Sequence, residues 1–280
     1  MILITGANGN IGSQCATILR KQGEDVRALI RDPGSAGALT ELGCEVVVHD
    51  LNNPVPSNIF EDVSAALFLT AAHENAAQQM RHLIFAALGS NIQQVVRLSA
   101  LKAAATAPTA NGRLHHESDH ELMDSGLPFT IVRPHWFMQN LLWSMEDMVN
   151  KGELSQPMGQ GKLGMIDARD IAEVCASLLS NGGFEGEVLT LTGPQSISFD
   201  EVAHAAGEAF GRPVGYTPVD HSLVREGAVA AGMGEWMADL VHDYGVAYST
   251  GWGDFVTDDV KRVLGRPPRS ISEFCAELFP

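Results

Sequence analysis

The chain opens with MILITGANGNIGSQ (residues 1–14), where a short aliphatic run leads directly into a glycine-rich stretch. Gly6, Gly9 and Gly12 form a G-x-x-G-x-x-G pattern between a strand-like segment and a helix-like one. In such a turn the first glycine permits a tight bend, the second lets the backbone approach a pyrophosphate, and the third lets the helix pack closely against the strand. Free N–H groups at the helix terminus also attract phosphate. The stretch therefore predicts a dinucleotide-binding turn.

Short aliphatic runs recur along the chain, with helix-like stretches between them. The runs cover residues 1–5, 25–31, 44–50, 65–72, 93–100, 128–134 and 187–193. Because they are continuously apolar rather than alternating, they indicate strands buried on both faces, as in a parallel sheet. The order strand, helix, strand, repeated from the first residue, predicts an α/β fold with a doubly wound, Rossmann-type parallel sheet.

The pattern loosens after about residue 150. KGELSQPMGQGKLG (151–164) is rich in Gly, Lys and Pro, so we predict a loop there. We assign residues 1–150 to a nucleotide-binding lobe, to which the strand at 187–193 returns. Residues 151–280 are assigned to a smaller, mostly helical lobe that binds the substrate.

Composition limits the classes of partner. The 280 residues carry a formal net charge of −16, and such an acidic chain repels nucleic-acid phosphates and anionic membrane surfaces. No apolar run approaches the roughly 18 residues that span a bilayer, and no basic, apolar signal segment precedes the first strand. The four cysteines are scattered and form no C-x-x-C pair, so no metal site is indicated. We expect a cytoplasmic protein with a small-molecule substrate, and a homodimer is considered as its assembly.

The end of the second predicted strand bears on the choice of cofactor. An acidic residue there accepts hydrogen bonds from a ribose 2′-hydroxyl, whereas an arginine favours a 2′-phosphate. Arg31 directly precedes Asp32, so the two signals compete. If Arg31 faces the cofactor, its planar guanidinium favours NADP over NAD. Asp50 and Leu51, after the third strand, are expected at the adenine end.

Several segments resemble one protein family. They are the glycine turn, VVRLSAL with its strand-end serine, ESDHELMDSGLPFTIVRPHWFMQNLL (117–142), IDARDIAEV (166–174) and FVTDDVKRVLGRPPRSISEF (255–274). Together they resemble the NmrA-like branch of the atypical short-chain dehydrogenase/reductases over essentially the whole chain. Members of that branch bind NADP(H) or NAD(H). Some reduce quinones, azo dyes, triphenylmethane dyes or unsaturated natural products, and others are redox-sensing partners of transcription regulators.

The resemblance implies that the glycine turn and Arg31 serve the cofactor, and that the segments after the fourth and sixth strands border the nicotinamide. The residues predicted to contact the cofactor are Gly6, Asn8, Gly9, Asn10, Ile11, Gly12, Arg31, Asp50, Leu51, Thr70, Ala71, Ala72, His73, Ser99 and Pro134.

The acid of most short-chain reductases, a Tyr followed four residues later by a Lys, is missing. Tyr216, Tyr244 and Tyr248 are the only tyrosines, and none has a lysine four positions on. One interpretation is an acceptor whose reduced product water can protonate, so that catalysis is mainly positioning. The other is a replacement acid: His115 or His116 could donate a proton near neutral pH. Lys102 could orient an oxygen or a ribose hydroxyl.

The segment after the sixth strand is a candidate for acceptor binding. Ligands bind at the carboxyl ends of strands in open α/β sheets. His135, Trp136, Phe137 and Met138 stand at such an end, and the three apolar side chains could line a pocket or belong to the core.

The sequence therefore predicts an NADP(H)-dependent reductase, with NAD(H) as the second candidate cofactor, that passes hydride to a planar conjugated acceptor. The alternative is a non-catalytic NAD(P)-sensing regulator that binds a partner protein. An isomerase or epimerase fits least, because its chemistry usually needs the missing acid–base pair.

Overall fold

The computed structural model describes residues 1–278 and contains one large sheet and two small ones. The strands are β1 (Ile2–Thr5), β2 (Val26–Ile30), β3 (Glu45–Val48), β4 (Ala65–Phe68), β5 (Gln94–Leu98), β6 (Phe129–Pro134), β7 (Glu153–Gln156), β8 (Lys162–Leu163), β9 (Val188–Leu191), β10 (Ile197–Ser198) and β11 (Gly215–Pro218). The large sheet has the strand order β3-β2-β1-β4-β5-β6-β9, and the pairings from β3 to β6 are all parallel. The predicted doubly wound α/β fold is confirmed.

Helices connect these strands. They are α1 (Asn10–Lys21), α2 (Gly37–Glu41), α3 (Ala76–Ala87), α4 (Ala110–Asp124), α5 (Met145–Lys151), α6 (Ala168–Asn181), α7 (Phe199–Phe210), α8 (His221–Ala230), α9 (Glu235–Ser249), α10 (Asp259–Leu264) and α11 (Ile271–Leu278). In α1, Ile11, Cys15 and Leu19 recur every four residues and are buried. This spacing places them on one face of the helix, which is why the segment folds as a helix rather than a strand.

Burial separates the central strands from the edge strand. All four residues of β1 and all four of β4 are buried. In β3, at the sheet edge, Glu45 and Val48 are exposed. The continuous apolar run that predicted β3 thus lies in a strand that has a neighbour on one side only.

Contacts along the chain divide it into two units. The first comprises Met1–Ala105, Asn111–Arg133 and Ile171–Thr190. The second comprises Thr106–Ala110, Pro134–Asp170 and the described chain from Leu191 onward. The lobe boundary at residue 150 stays a prediction.

The predicted loop over 151–164 is partly wrong. β7 pairs in parallel with β11, and β8 pairs antiparallel with β10. Leu154 and Leu163 are fully buried, which anchors both short strands. Such strands depend on distant pairing partners more than on local preference, so the local composition did not indicate them.

None of the helices within residues 1–278 has the length and hydrophobicity that crossing a bilayer requires.

Candidate functional site

The glycine turn after β1 brings backbone segments closer together than side chains would allow. Gly6 has φ +59°, and a Cβ atom added there would lie 2.9 Å from Cδ2 of Leu69. A Cβ on Gly12 would lie 2.4 Å from the Gly6 carbonyl oxygen and 2.9 Å from Cα of Ala7. Real Cβ atoms do not make such contacts, so these positions require glycine. The turn has the close approach of helix to strand that the sequence predicted.

Thr5 connects the end of β1 to the segment after β4. Its hydroxyl donates a hydrogen bond to the Leu69 carbonyl at 2.7 Å and accepts one from the Leu69 N–H, also at 2.7 Å. Thr5 is fully buried, so both bonds are shielded from water. The sequence analysis did not select Thr5, although its position directly before Gly6 was a signal.

A cavity of about 200 Å³ lies at the carboxyl ends of β1 to β4. It is lined by Gly6, Asn8, Leu29, Arg31, Asp32, His49, Asp50, Leu51, Leu69, Thr70, Ala71 and Gln79. Seven of these were predicted cofactor contacts, and they converge because parallel strands all end at the same sheet edge. Leu29, His49, Leu69 and Gln79 were missed, since nothing in their residue types marks them, and Asp32 was considered only as a signal competing with Arg31.

One polar group that lines this cavity is unsatisfied in the described part of the chain. The buried hydroxyl of Thr70 has no hydrogen-bond partner among the described residues. No side chain caps the N-terminus of α1, whose first turn also contains no acidic residue. A phosphate-bearing ligand would accept hydrogen bonds from such N–H groups and would meet the positive end of the helix dipole. The cavity and turn therefore fit a dinucleotide.

The two charged residues after β2, Arg31 and Asp32, make different contacts. Asp32 accepts a hydrogen bond from the Gly34 N–H at 3.0 Å and so caps the short turn Pro33–Ser35. Asn8 donates to the Ser35 hydroxyl at 2.9 Å, which ties this loop to the glycine turn. Arg31 is exposed and forms no hydrogen bond or ion pair within residues 1–278. Arg31 therefore lines the cavity with no ion pair of its own, together with Asp32 and Asp50.

The other predicted cofactor contacts differ in placement. Asp50 accepts a hydrogen bond from the Asn52 N–H at 3.0 Å within its own turn. Ala72 and His73 are exposed and do not line the cavity. Ser99 and Pro134 are buried, Ser99 just after β5 and Pro134 at the end of β6.

Ser99 belongs to a buried ionic network in the first unit. Its hydroxyl donates to Oδ2 of Asp119 at 2.8 Å. Arg97 Nε donates to Oδ1 of the same carboxylate at 2.7 Å, and Arg133 Nη2 donates to Oδ2 at 2.8 Å. Arg97 Nη2 lies 3.2 Å from Nδ1 of His115. Arg97 and Asp119 are almost completely buried, so these bonds form in a low-dielectric interior.

The structure does not support His115 as a proton donor. Burial, followed by the positive charge of Arg97, lowers the pKa of His115 to about 3. The ring is therefore neutral near pH 7, and its Nδ1 accepts the hydrogen bond from Arg97. A donor that works near neutral pH needs a higher pKa.

The remaining candidate acids lie nearby in sequence. His116 and His120 share a face of α4, with ring centroids 4.4 Å apart. No group of three or more His, Cys, Asp or Glu that could hold a metal occurs in the described part of the chain.

Lys102 has φ +48°, a conformation uncommon outside glycine, and desolvation lowers its pKa. Backbone strain of this kind often occurs at functional positions.

The segment after β6 belongs mostly to the interior of the second unit. His135 is 2% exposed. Its Nδ1 accepts the Trp136 N–H at 2.7 Å, and Nε2 lies 3.0 Å from the Gly253 carbonyl oxygen, so the ring carries its proton on Nε2. The ring stacks on Tyr248 at 5.6 Å, and Met138 is 1% exposed. His135 and Met138 therefore fit the core interpretation.

Trp136 and Phe137 are half-buried. The Trp136 ring meets Phe199 edge-on, with centroids 5.6 Å apart. Their role in binding an acceptor stays a prediction.

Known proteins resemble this chain over its whole length. A family model described as NAD(P)H-binding matches residues 6–182. NAD(P)H azoreductase of Xenophilus azovorans is 34% identical over 276 residues, which cover 98% of this chain and 96% of that protein. Quinone oxidoreductase 2 of Escherichia coli (strain K12) is 26% identical over 283 residues, or 100% of this chain and 99% of that one.

Solved structures agree with these matches. The crystal structure of the E. coli NADPH-dependent quinone oxidoreductase QOR2 complexed with NADPH has a TM-score of 0.88, with 25% identity and complete coverage of both chains. NmrA, a negative transcriptional regulator solved in complex with NADP, has a TM-score of 0.81 at 20% identity, covering 100% of this chain and 95% of that one. At that identity the second match shows the fold alone.

The sheet order and the glycine turn define a dinucleotide-binding protein of the Rossmann type. The chain belongs to the NAD(P)H-binding family. Its relatives are an azoreductase and a quinone oxidoreductase, which are reductase types that the NmrA-like resemblance implied, and NmrA itself shares the fold.

Proposed function

We propose that this chain is an NAD(P)H-dependent reductase that transfers hydride to a planar conjugated acceptor, such as a quinone or a dye. The full-length similarity to an azoreductase and a quinone oxidoreductase carries this proposal. The cavity at the carboxyl ends of β1 to β4 supports it, because its polar groups fit a dinucleotide. When bound, the reduced nicotinamide supplies the hydride.

Residues of the first unit would hold the cofactor. The glycine turn and the N-terminus of α1 bind the pyrophosphate, and Arg31 binds the 2′-phosphate, which makes NADP(H) preferred over NAD(H). Asp50 and Leu51 contact the adenine end, while Thr70 and Ala71 contact the middle of the cofactor. Asp32 also lines the cavity, and one of its carboxylate oxygens accepts a hydrogen bond within its own turn.

An acceptor that needs no strong protein acid fits this chain best. His115 is neutral and buried, so the replacement acids are reduced to His116 and Lys102. A quinone or dye gives a stabilised reduced product that water can protonate, and the protein then contributes mainly orientation. Trp136 and Phe137 are proposed to contact the acceptor.

We further propose a homodimer located in the cytoplasm, with a small-molecule substrate and no nucleic-acid partner.

Steady-state oxidation of NADPH tests the proposal. The purified chain is given NADPH with a panel of quinones, azo dyes and triphenylmethane dyes, and absorbance at the cofactor band is followed with and without enzyme. Acceptor-dependent oxidation by at least one class is expected. Tight NADPH binding without turnover on any acceptor would contradict the reductase and favour the sensing regulator.

A further inference from the structure

The carboxylate of Asp119 fixes the direction of the hydrogen bond that Ser99 makes. Asp119 is fully buried on α4 and accepts bonds from Arg97, Arg133 and Ser99. This carboxylate forms ion pairs with two guanidiniums, at 2.7 Å to Arg97 and 2.8 Å to Arg133. An ionised carboxylate can only accept hydrogen bonds. The Ser99 hydroxyl must therefore donate its one hydrogen to Asp119.

The backbone positions these groups for this arrangement. Arg97 and Ser99 are two residues apart along β5 and its end, so their side chains lie on the same face of the sheet. β5 pairs with β6 in the register Leu98 to Val132, which places Ser99 beside Arg133. The carboxylate thus receives donors from two adjacent strands. With its hydrogen committed, Ser99 keeps only lone pairs for another partner.

We propose that Asp119 is a positioning residue that makes Ser99 a hydrogen-bond acceptor toward the bound cofactor. This inference rests on the proposed function and extends the predicted contact of Ser99 with the cofactor to the nicotinamide half of NADPH. The group that Ser99 meets must then be a donor: an N–H of the carboxamide or an O–H of the ribose. Ser99 consequently does not donate to an oxygen of the acceptor, unlike a catalytic acid.

The primary test removes the hydroxyl with Ser99→Ala and measures the dissociation constant of NADPH by calorimetry. Loss of one hydrogen bond should weaken binding about 3- to 10-fold. Ser118→Ala is the matched control, because Ser118 is also buried, but it lies on α4 and its hydroxyl donates to the Leu114 carbonyl within the helix. Its NADPH affinity should equal that of the wild type.

A cofactor analogue distinguishes the two donors. The 3-acetylpyridine analogue of NADPH keeps the ribose hydroxyls but has a methyl ketone in place of the carboxamide, so it lacks the N–H groups. If Ser99 accepts from the carboxamide, Ser99→Ala weakens binding of NADPH and leaves binding of the analogue unchanged. If Ser99 accepts from the ribose, both ligands lose the same factor. No loss for either ligand overturns the inference.

A double-mutant cycle tests the route through Asp119. Asp119→Asn should weaken NADPH binding by a factor similar to that of Ser99→Ala, and combining the two should cause no further loss. Asp170→Asn is its matched control, because Asp170 is also fully buried and paired with two arginines, Arg266 and Arg269. It should lower stability without changing NADPH affinity. Additive losses of affinity in the double mutant would show that Asp119 does not act through Ser99.

Failure of this inference can be separated from failure of the proposed function. If Asp119→Asn does not fold, the Ser99→Ala comparison still decides whether Ser99 contacts the cofactor, and a loss confined to NADPH shows that it accepts from the carboxamide. Wild-type protein that binds no NADPH would refute the proposed function itself. If wild type binds NADPH and Ser99→Ala binds it equally tightly, only the inference is refuted.

Discussion

Two stretches of this chain were predicted to bind ligands, and they differ in how their polar groups are satisfied. Near the glycine turn, the Thr70 hydroxyl has no partner in the described chain, and no side chain caps α1. In the segment after β6, both ring nitrogens of His135 are hydrogen-bonded and Met138 is buried. Buried polar groups are normally paired. The difference favours the first stretch as the proposed ligand site and the second mostly as core.

This comparison separates the expected effects of mutation. Changes in the glycine turn or Arg31 should weaken dinucleotide binding. Changes at His115 and His135, whose buried rings have hydrogen-bond partners, should lower stability and leave NADPH binding intact.

The largest effect is expected for Gly12→Ala. The added Cβ would overlap the Gly6 carbonyl oxygen at 2.4 Å, so the turn must deform. Overpacking of this kind costs about 1–3 kcal/mol, and NADPH affinity should fall roughly 100-fold in a calorimetric titration.

Gly227→Ala is the control for this variant, because no atom lies within 4 Å of the added Cβ and the residue lies inside α8. It should leave binding unchanged and stabilise the helix by about 0.5–1 kcal/mol. Unchanged NADPH affinity in Gly12→Ala would remove the glycine turn from the site.

His135→Phe should lower the free energy of unfolding without changing NADPH affinity. Phenylalanine keeps an aromatic ring beside Tyr248 but leaves the Gly253 carbonyl and the Trp136 N–H without their partners. Because unsatisfied buried groups are costly, we expect a loss of about 2–3 kcal/mol in urea unfolding. A variant of wild-type stability that binds NADPH poorly would reverse the roles of the two stretches.

The sequence predicted the strands that local composition marks, but not the strands that depend on partners far along the chain. β1 and β4 are continuous apolar runs buried on both faces, and local composition was enough to find them. β7, β8 and β11 were not predicted, because they are short and are held by partners far along the chain. A short segment of sequence does not show which distant strand it pairs with.

The candidate site divides in a similar way. Gly6 and Gly12 were predictable because backbone geometry excludes other residues at these positions. His49 and Gln79 reach the cavity only through the placement of β3 and α3, so their residue types gave no signal. His115 had the right chemistry for an acid, but the sequence did not show that it would be buried against Arg97.

Arg31→Ala should reduce selectivity for the phosphorylated cofactor. Loss of a charged hydrogen bond from an exposed guanidinium should weaken NADPH binding about 10- to 30-fold, while NADH affinity stays the same. Calorimetric titration with both nucleotides measures the ratio. Lys21→Ala is the control, since it removes one exposed positive charge at the end of α1. An unchanged ratio in Arg31→Ala would exclude Arg31 from the 2′-phosphate site.

The smallest effect concerns the pH dependence of stability at His115. Its folded-state pKa of about 3 lies below the ordinary value near 6.5, so the unfolded chain binds the extra proton between these values. The stability that this histidine contributes is therefore complete above pH 6.5 and is lost as the pH falls toward 3. Between pH 7 and pH 5.5 the wild type should lose about 1 kcal/mol more than His115→Gln, measured by urea unfolding at both values. NADPH affinity at pH 7 should be the same for both proteins. Equal pH dependence of stability would show that the pKa of His115 is the same in the folded and unfolded chain. Reduced NADPH binding by His115→Gln would place this histidine with the glycine turn rather than with His135.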